Sequence, residues 1–421
     1  MSQISSLPSS DDLVEVYHGD DIVMDVNAVY DTMVKSFKEK KDKKELIRFM
    51  TEYCRLETTT PQDIYDLKKK LELDFSKDVN CEYCYTFGTP VNYGCDLREI
   101  FYDRNNKITD GGEELLEIFN QKKLPDIWHI MTDIDDTLYP NTEHGTYIAG
   151  SDISWHQKTP YPGIRTFYNK FYAKLPDYSQ YSTILSATPG CLKNSKLKDK
   201  NGLLHGILHI YGFIQGVESK LQVATYSGNI ITNCVSAYCG TSNTTDVDSI
   251  SDLFKLFGNT KFERFKQYLN IFPEYKILFF GDNGQGDVLA GKQMVEYTKE
   301  YTDRCHVFIH KVSENGRTFK TVSEESQQID RLNFFTNYYE ASKQLQELGI
   351  FNADDVDAVK NEINTQIKVR ENSRFANLYN TLSGGKTKKT KNYKYNSNKT
   401  KKHKKRSTKR NKRKQIKNKT R

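Results

Sequence analysis

The chain has 421 residues, of which 37% are hydrophobic, and a formal net charge of +7; this length suffices for two or three domains of about 100–200 residues with a sizeable core. Its 8 cysteines form no dense framework, which argues against a disulfide-stapled secreted domain and favours a reducing compartment. No stretch approaches the about 18 continuous apolar residues of a membrane-spanning helix, and the acidic first twenty residues do not resemble a signal peptide. We therefore expect a soluble, intracellular protein that is cytoplasmic or peripheral to a membrane.

The N-terminal part of the chain is predicted to be mainly helical. Residues 1–10 (MSQISSLPSS) are predicted to be disordered. Residues 11–125 form a predicted accessory region, where apolar residues recur at helical spacing along VYDTMVKSFKEKKDKKELIRFMTEYC. The segment TPQDIYDLKKKLEL starts like a capped helix, because Thr60 precedes Pro61.

Four cysteines of this region are candidate zinc ligands. Cys81 and Cys84 form a C-x-x-C pair, and Cys54 and Cys95 lie nearby in the sequence. A structural zinc site would use all four thiolates. Because the second pair is not closely spaced, buried or incidental thiols are the favoured interpretation.

The pattern changes within residues 126–335. The apolar runs IWHIMTDID, YSTILSATPG, KILFFGDNGQGD and CHVFIHKV alternate with the helical segments YPGIRTFYNKFYAKL and KFERFKQYLNIFPEY. Alternating strands and helices predict an α/β fold with a doubly wound parallel sheet. In such sheets the ligand site lies outside the carboxyl ends of the strands, which is where the polar clusters fall. Residues 336–383 carry further helical patterns.

The first polar cluster is in HIMTDIDDTLYP, where Asp133, Asp135 and Thr137 follow a predicted strand. Crowded carboxylates repel one another unless a positive charge lies among them. Asp133 is placed to attack phosphorus and form an aspartyl-phosphate, and Asp135 to protonate the leaving oxygen and later activate water. The pair would require Mg²⁺, which takes carboxylate and phosphate oxygens together. The alternatives are a strand end with an acidic turn and a helix N-terminus, where Asp is favoured.

The second cluster is in TILSATPG. The hydroxyl of Ser186 and nearby backbone N–H groups, such as that of Ala187, are placed to hold a phosphate oxygen. Thr188 is a weaker candidate for the same role. Taken alone, the segment is more typical of an ordinary turn rich in Ser, Pro and Gly.

The third cluster is in FFGDNGQGD, where Asp282 and Asp287 offer carboxylates to a metal. A turn rich in Gly, Asn and Asp after a strand is the alternative. It does not explain why paired acids recur after a second core-like strand. Three acids and a phosphate also need a cationic side chain. Lys261, predicted near the start of the helix before this strand, is the first candidate, and Lys266 is its competitor. On helical spacing alone, either lysine is more typical of a solvated surface residue.

Together these motifs resemble those of the haloacid-dehalogenase-like phosphohydrolases. DIDDT is similar to the first motif of that family, Ser186 to the second, Lys261 to the third and GDNGQGD to the fourth. The resemblance implies a Mg²⁺-dependent phosphatase. Carried over residue by residue, it implies Asp133 as nucleophile, Asp135 as acid and base, and Asp282 as the ligand that completes the Mg²⁺ site, with Asp287 as a nearby second acid. The motifs together predict Asp133, Asp135, Ser186 and Lys261 as catalytic groups. They predict substrate binding by Thr137, Ser186, Ala187 and Lys261, and metal binding by Asp133, Asp135, Asp282 and Asp287.

A narrower resemblance covers roughly residues 126–315. DIDDT, YPG, LSATPG and GDNGQGD are similar to the catalytic domain of the fungal actin-patch-associated phosphatidate phosphatases and their bacterial relatives. The chain departs from that pattern at Thr188, Gly190 and Asn283, none of which removes a catalytic group. The resemblance implies phosphatidate as substrate, with diacylglycerol and phosphate as products.

Residues 384–421 form a basic tail with 19 Lys plus Arg and no acid. Subtracting these charges from the net +7 leaves −12 for residues 1–383. The tail is predicted to be disordered and to attract anionic lipid or nucleic acid. Since Tyr393 and Tyr395 are its only aromatic residues, base-specific reading is not expected. A solvated, functionally silent extension is the alternative for the tail. Following SGGK, the tail resembles those on proteins of large DNA viruses with AT-rich genomes. The alternative functions are a nucleic-acid-end or nucleotide phosphatase and a catalytically idle polyanion-binding or interaction module.

Overall fold

Five parallel strands form the centre of the fold. Their order across the sheet is β4-β3-β5-β6-β7, with β3 at Ile127–Thr132, β4 at Ser182–Ile184, β5 at Tyr275–Asp282, β6 at Cys305–His310 and β7 at Leu332–Phe335. A separate antiparallel pair consists of β1 (Tyr85–Thr86) and β2 (Thr89–Pro90). In this computed structural model the described residues are 27, 29–33, 42–77, 85–86, 89–90, 97–103, 106–140, 152–155, 159–176, 182–185, 250–300, 303–313 and 322–369.

Ten helices of four residues or more are named here among the described residues. Four precede the sheet: α1 (Lys43–Arg55), α2 (Pro61–Lys77), α3 (Arg98–Phe101) and α4 (Gly112–Gln121). The others are α5 (Ile164–Tyr172), α6 (Ile250–Ile271), α7 (Asp287–Tyr297), α8 (Glu324–Gln327), α9 (Tyr338–Glu347) and α10 (Ala353–Val369).

The helices cover both faces of the sheet. Met131 and Phe279 point into a core shared with α1, α2, α4, α6 and α7. Ile130 and Phe280, one position along each strand, point into a second core shared with α5, α9 and α10. Burial on both faces explains why the sequences of β3 and β5 are almost continuously apolar.

The predicted α/β class and parallel sheet are confirmed. β7 was not predicted, because its four residues (LNFF), which include a polar Asn333, are too few to show a period. The prediction that a helix begins near Lys261 is wrong, since α6 begins at Ile250. Its Gly258 does not end the helix: a Cβ there would lie 2.7 Å from the carbonyl oxygen of Gly286, so glycine permits a close approach between α6 and the turn before α7.

Local signals explain where the N-terminal helices start. The side chain of Asp42 accepts hydrogen bonds from the first amides of α1. At α2, the Thr60 hydroxyl accepts from the amide of Asp63, whose carboxylate accepts in return from the amide of Thr60. The predicted capped helix at Pro61 is therefore confirmed.

Helices α1, α2 and α4 share their hydrophobic core with the sheet, and α9 and α10 lie within the predicted C-terminal helical segment. The proposed domain boundaries stay a prediction, and residues 1–10 and 384–421 lie outside the described residues. Among the described helices, none is both long enough and apolar enough to cross a membrane.

Candidate functional site

Two central strands bring the predicted acids to one edge of the sheet. β3 and β5 are parallel neighbours in which Thr132 lies opposite Phe280. Asp133 follows β3 directly, and its amide donates to the carbonyl of Phe280 at 2.8 Å. Asp282 is the last residue of β5. The carboxyl ends of the two strands therefore place both side chains at the same edge.

Three carboxylates converge there. Oxygens of Asp133, Asp282 and Asp287 all lie within 4.8 Å of one another, and all three residues are at most 2% exposed. Asp287 enters the cluster as the first residue of α7. The sequence predicted all three residues as metal ligands, and the structure brings them together.

Lys261 supplies a positive charge to this cluster. Its Nζ lies 3.1 Å from Oδ2 of Asp133 and donates a hydrogen bond to Asp287. Lys261 belongs to the buried stripe of α6, one helical turn from Phe257 and Phe265. A lysine inside an apolar stripe of period three to four is a sequence signal that distinguishes it from Lys266, which forms a partly exposed ion pair with Glu263 at 2.8 Å.

Two glycines make room for this arrangement. A Cβ at Gly281 would lie 2.5 Å from Oδ2 of Asp287, so only glycine lets that carboxylate approach the strand. The same oxygen accepts from the amide of Asp282 at 3.2 Å. Gly286, with φ +111°, turns the chain into α7, and a Cβ there would lie 2.3 Å from the carbonyl oxygen of Phe254.

The cluster is short of positive charge. Burial raises the pKa of Asp133 to about 8; the carboxylates of Asp287 and Asp135 add to the rise, while Lys261 opposes it. Burial and neighbouring acids also raise the pKa of Asp282 well above its ordinary value. Burial lowers the pKa of the Lys261 ammonium, but Asp133 and Asp287 more than offset this, so that its pKa is raised. One ammonium thus does not balance three carboxylates, and protons are retained instead.

The donor set suits a divalent cation. If the three acids are ionised and Lys261 is protonated, two negative charges remain uncompensated, which one divalent cation would neutralise. Oδ1 of Asp282 accepts from the amide of Gly284, whereas its buried Oδ2 has no hydrogen-bond partner among the described residues. Carboxylate oxygens are the ligands that Mg²⁺ takes, so the residues fit that ion.

The other members of DIDDT lie around this cluster. Asp135 is half-buried and is not part of the carboxylate trio; its charge helps burial to raise the pKa of the Tyr139 hydroxyl well above its ordinary value. Thr137 is fully buried, and its Oγ1 has no partner among the described residues. The roles predicted for Asp135 in proton transfer and metal binding, and for Thr137 in substrate binding, stay predictions.

Ser186 and Ala187 lie outside the described residues. The residue before them, Leu185, is described, and its amide donates to the carbonyl of Thr132 at 2.8 Å. The chain therefore leaves β4 at the edge of the sheet where Asp133 begins its loop.

Two buried polar residues of the site were not predicted. His310 ends β6, and Asp152 follows the first acidic loop; both are at most 1% exposed. Nδ1 of His310 lies 2.7 Å from the carbonyl oxygen of Asp136. A polar residue at the end of the apolar run CHVFIH was the available signal for His310, the same kind of signal that identified Asp133 and Asp282.

A buried histidine and the candidate zinc ligands lie away from this site or outside the described residues. His129 is a buried residue of β3 and is hydrogen-bonded to Thr183 at 2.9 Å. Of the candidate zinc ligands, Cys54 is buried, and burial raises the pKa of its thiol to about 12. Cys81, Cys84 and Cys95 lie outside the described residues, so the zinc site stays a prediction.

Comparison with protein-family models, curated proteins and solved structures finds no match to this chain, so no relative assigns a role to these residues.

Proposed function

We propose that the protein is a Mg²⁺-dependent phosphohydrolase of the haloacid-dehalogenase-like class that works through an aspartyl-phosphate. The supporting observation is that Asp133, Lys261 and the Asp282–Asp287 turn meet at one edge of a parallel sheet, although they come from separate elements. β4 lies on one side of β3, and β5, β6 and β7 lie on the other. Where the strand order reverses in this way, doubly wound sheets bind their ligands.

The reaction would use two acids of the first loop. A carboxylate oxygen of Asp133 forms a bond to phosphorus while the bond from phosphorus to the leaving alcohol oxygen breaks. Asp135 donates the proton that this oxygen acquires. Asp135 then takes a proton from water, whose oxygen attacks phosphorus, and the bond from phosphorus to Asp133 breaks to release phosphate.

Lys261 would serve both the carboxylates and the transferring group. Its ammonium favours the ionised, nucleophilic form of Asp133 and, in the substrate complex, would hold a phosphoryl oxygen as a point charge. Ser186 and the amide of Ala187 are proposed to hold a second phosphoryl oxygen. When bound by Asp133, Asp282 and Asp287, Mg²⁺ supplies the further positive charge that phosphoryl transfer needs.

Phosphatidate is the first candidate substrate. The proposal rests on the motif resemblance and on the basic tail at residues 384–421, which would hold the enzyme at an anionic bilayer. The same tail also favours a second candidate, a phosphatase acting on nucleic-acid ends or nucleotides, because polyphosphate chains attract such charge equally well.

The test is release of inorganic phosphate by the purified full chain with Mg²⁺. We expect turnover on phosphatidate vesicles, and a loss of about 10³-fold or more in Asp133→Asn, because the amide is not a nucleophile. Asp126→Asn is the matched control: Asp126 precedes the same strand at its amino end and is exposed, so activity should be retained. Wild-type turnover in Asp133→Asn would refute the mechanism.

A second arm distinguishes the substrates. Oligonucleotides carrying a 3′- or 5′-phosphate are compared with phosphatidate vesicles under the same conditions. Preference for the oligonucleotides favours the nucleic-acid-end phosphatase. A folded protein that releases no phosphate from lipid, nucleotide or protein substrates favours a catalytically idle module that binds polyanions.

A further inference from the structure

The carboxyl end of β6 carries no predicted site residue, yet it contacts both acidic loops. His310, the last residue of β6, pairs with Asp282 in the parallel ladder. Its ring contacts the loop after β3, where Nδ1 lies 2.7 Å from the carbonyl oxygen of Asp136. Because a carbonyl oxygen only accepts, Nδ1 must carry the proton and donate. One residue therefore contacts the loop of Asp133 and the strand end of Asp282.

The backbone that surrounds His310 holds the loop after Asp282. The carbonyl of His310 accepts from the amide of Asn283 at 3.0 Å. Two residues on, the amide of Val312 donates to Oδ1 of Asn283 at 2.8 Å. The turn that leads from Asp282 to Asp287 is thus tied to β6 at its first residue.

A buried carboxylate makes a second connection to the first loop. Oδ1 of Asp152 accepts a hydrogen bond from the amide of Ser313 at 2.7 Å. The backbone amide of Asp152 donates to Oδ2 of Asp136 at 3.0 Å. Asp136, Asp152 and Ser313 are fully buried. Asp136 also has φ +56°, a backbone conformation that non-glycine residues adopt only when their surroundings hold them there.

We propose that His310 is a positioning residue: its Nδ1–H fixes the loop of Asp133 against the end of β5, so that Asp133, Asp282 and Asp287 keep the spacing that one divalent cation requires. This inference rests on the cation site of the proposed function.

Such a support is needed because the three carboxylates repel one another. This repulsion opposes the close approach of the two loops, and Lys261 forms its ion pairs with Asp133 and Asp287 but not with Asp282. Mg²⁺ demands near-octahedral geometry, so a small displacement of one ligand weakens binding. His310 resists this displacement from the protein side, without touching the ion or the substrate.

The test measures cation binding in the absence of substrate, by titrating the full chain with Mn²⁺ and following free Mn²⁺ by electron paramagnetic resonance. We expect His310→Phe, which keeps a ring but has no donor, to weaken Mn²⁺ binding by about 10–100-fold, the usual effect of losing a group that orients metal ligands. His310→Asn places an amide N–H close to the position of Nδ1 and should recover most of the affinity. The concentration of Mg²⁺ that half-saturates activity should shift in the same order.

The matched control is His129→Phe. His129 is also a fully buried histidine of this sheet, but its ring bonds to Thr183 and Tyr268, so Mn²⁺ affinity should stay at the wild-type level. If His310→Phe does not fold, His310→Asn and His310→Gln carry the test, because glutamine places its amide at the position of Nε2 instead. Equal affinity in those two variants, or wild-type affinity in His310→Phe, overturns the positioning role. Failure of the wild type to bind Mn²⁺ refutes the cation site itself, and with it the proposed function.

Discussion

Asp133 and Asp282 are carboxyl groups held where their charged forms are costly. Both are buried beside other acids, and the pKa of each is raised, that of Asp133 to about 8. Carboxyl groups with strongly raised pKa values occur mainly at functional sites, where the proton or the charge of the group has a role. Coordination of a cation uses the charge, because metal binding favours the ionised form of the carboxylate.

The raised pKa values predict how stability depends on pH without a divalent cation. The ordinary pKa of Asp133 is 3.8, so between pH 4 and about pH 8 the unfolded chain releases a proton that the folded chain keeps. Stability should therefore fall across this window. Thermal unfolding in EDTA at pH 5 to 8 measures the slope, which should be shallower in Asp282→Asn. Asp357→Asn, at an exposed position of α10, should keep the wild-type slope.

Mg²⁺ should reverse this trend, because the proposed site would bind it through ionised carboxylates. The increase in melting temperature that Mg²⁺ produces should grow from pH 5 to pH 8 and be lost in Asp282→Asn. An increase that does not depend on pH would place the cation away from these acids.

At the level of residues, position at the end of a strand was the informative signal. Asp133 and Asp282 were predicted because each ends an apolar run, and Asp287 because it shares the second motif. Asp152 was not predictable, since it binds backbone amides of Ser154 and Ser313, and amides leave no trace in a sequence.

Among the elements, the contact between α6 and α7 decides where Lys261 lies. The turn before α7 packs against α6 through Gly286 and the carbonyl of Phe254. Since Lys261 lies about two turns further along α6, this contact sets the register between the lysine and Asp287. Glycine is thus required at position 286 for two reasons: the positive φ, and the lack of space for a Cβ.

Gly286→Ala should accordingly cost more stability than an alanine at another left-handed glycine. Gly349 has φ +72°, and a Cβ added there would meet no atom within 4 Å, so Gly349→Ala incurs only the conformational cost, about 1–2 kcal/mol. Gly286→Ala adds a clash with backbone, and we expect an excess of at least about 1 kcal/mol. Urea denaturation of the two variants checks this; equal losses would contradict the close contact.

The sequence predicted the type of an element, helix or strand, where its pattern of apolar residues extended over enough positions. The strands β3 and β5 and the helices α2, α5, α9 and α10 correspond to predicted segments. The start of α6 did not, since it lies at Ile250 rather than near Lys261. The glycine inside this helix, Gly258, is explained only by its contact with the turn before α7, which the sequence does not show.

In the whole molecule, the N-terminal helices are joined to the sheet by a buried ion pair. Nζ of Lys68, on α2, lies 2.9 Å from both carboxylate oxygens of Glu274 and 3.0 Å from the carbonyl of Ile271. Both side chains are at most 2% exposed. Breaking a buried pair from one side leaves the other charge without compensation.

Lys68→Met should therefore destabilise the protein by about 3–5 kcal/mol. Lys266→Met, which removes a partly exposed ion pair on α6, should stay within about 1 kcal/mol of the wild type. The double variant Lys68→Met/Glu274→Met should recover much of the loss, because an apolar pair fits a buried position. Chemical denaturation measures all three, and a small effect of Lys68→Met would show that the N-terminal helices are not coupled to the sheet through this pair.

The last described helix has a practical consequence for shortened versions of the chain. Oε1 of Gln366 accepts from the amide of Gly163, and Oε2 of Glu362 accepts from the amide of Thr166. These two residues of α10 thus satisfy the first amides of α5, which has no cap of its own. A truncation intended for expression or crystallisation should keep everything through Val369, because stopping earlier would uncap a helix two hundred positions upstream.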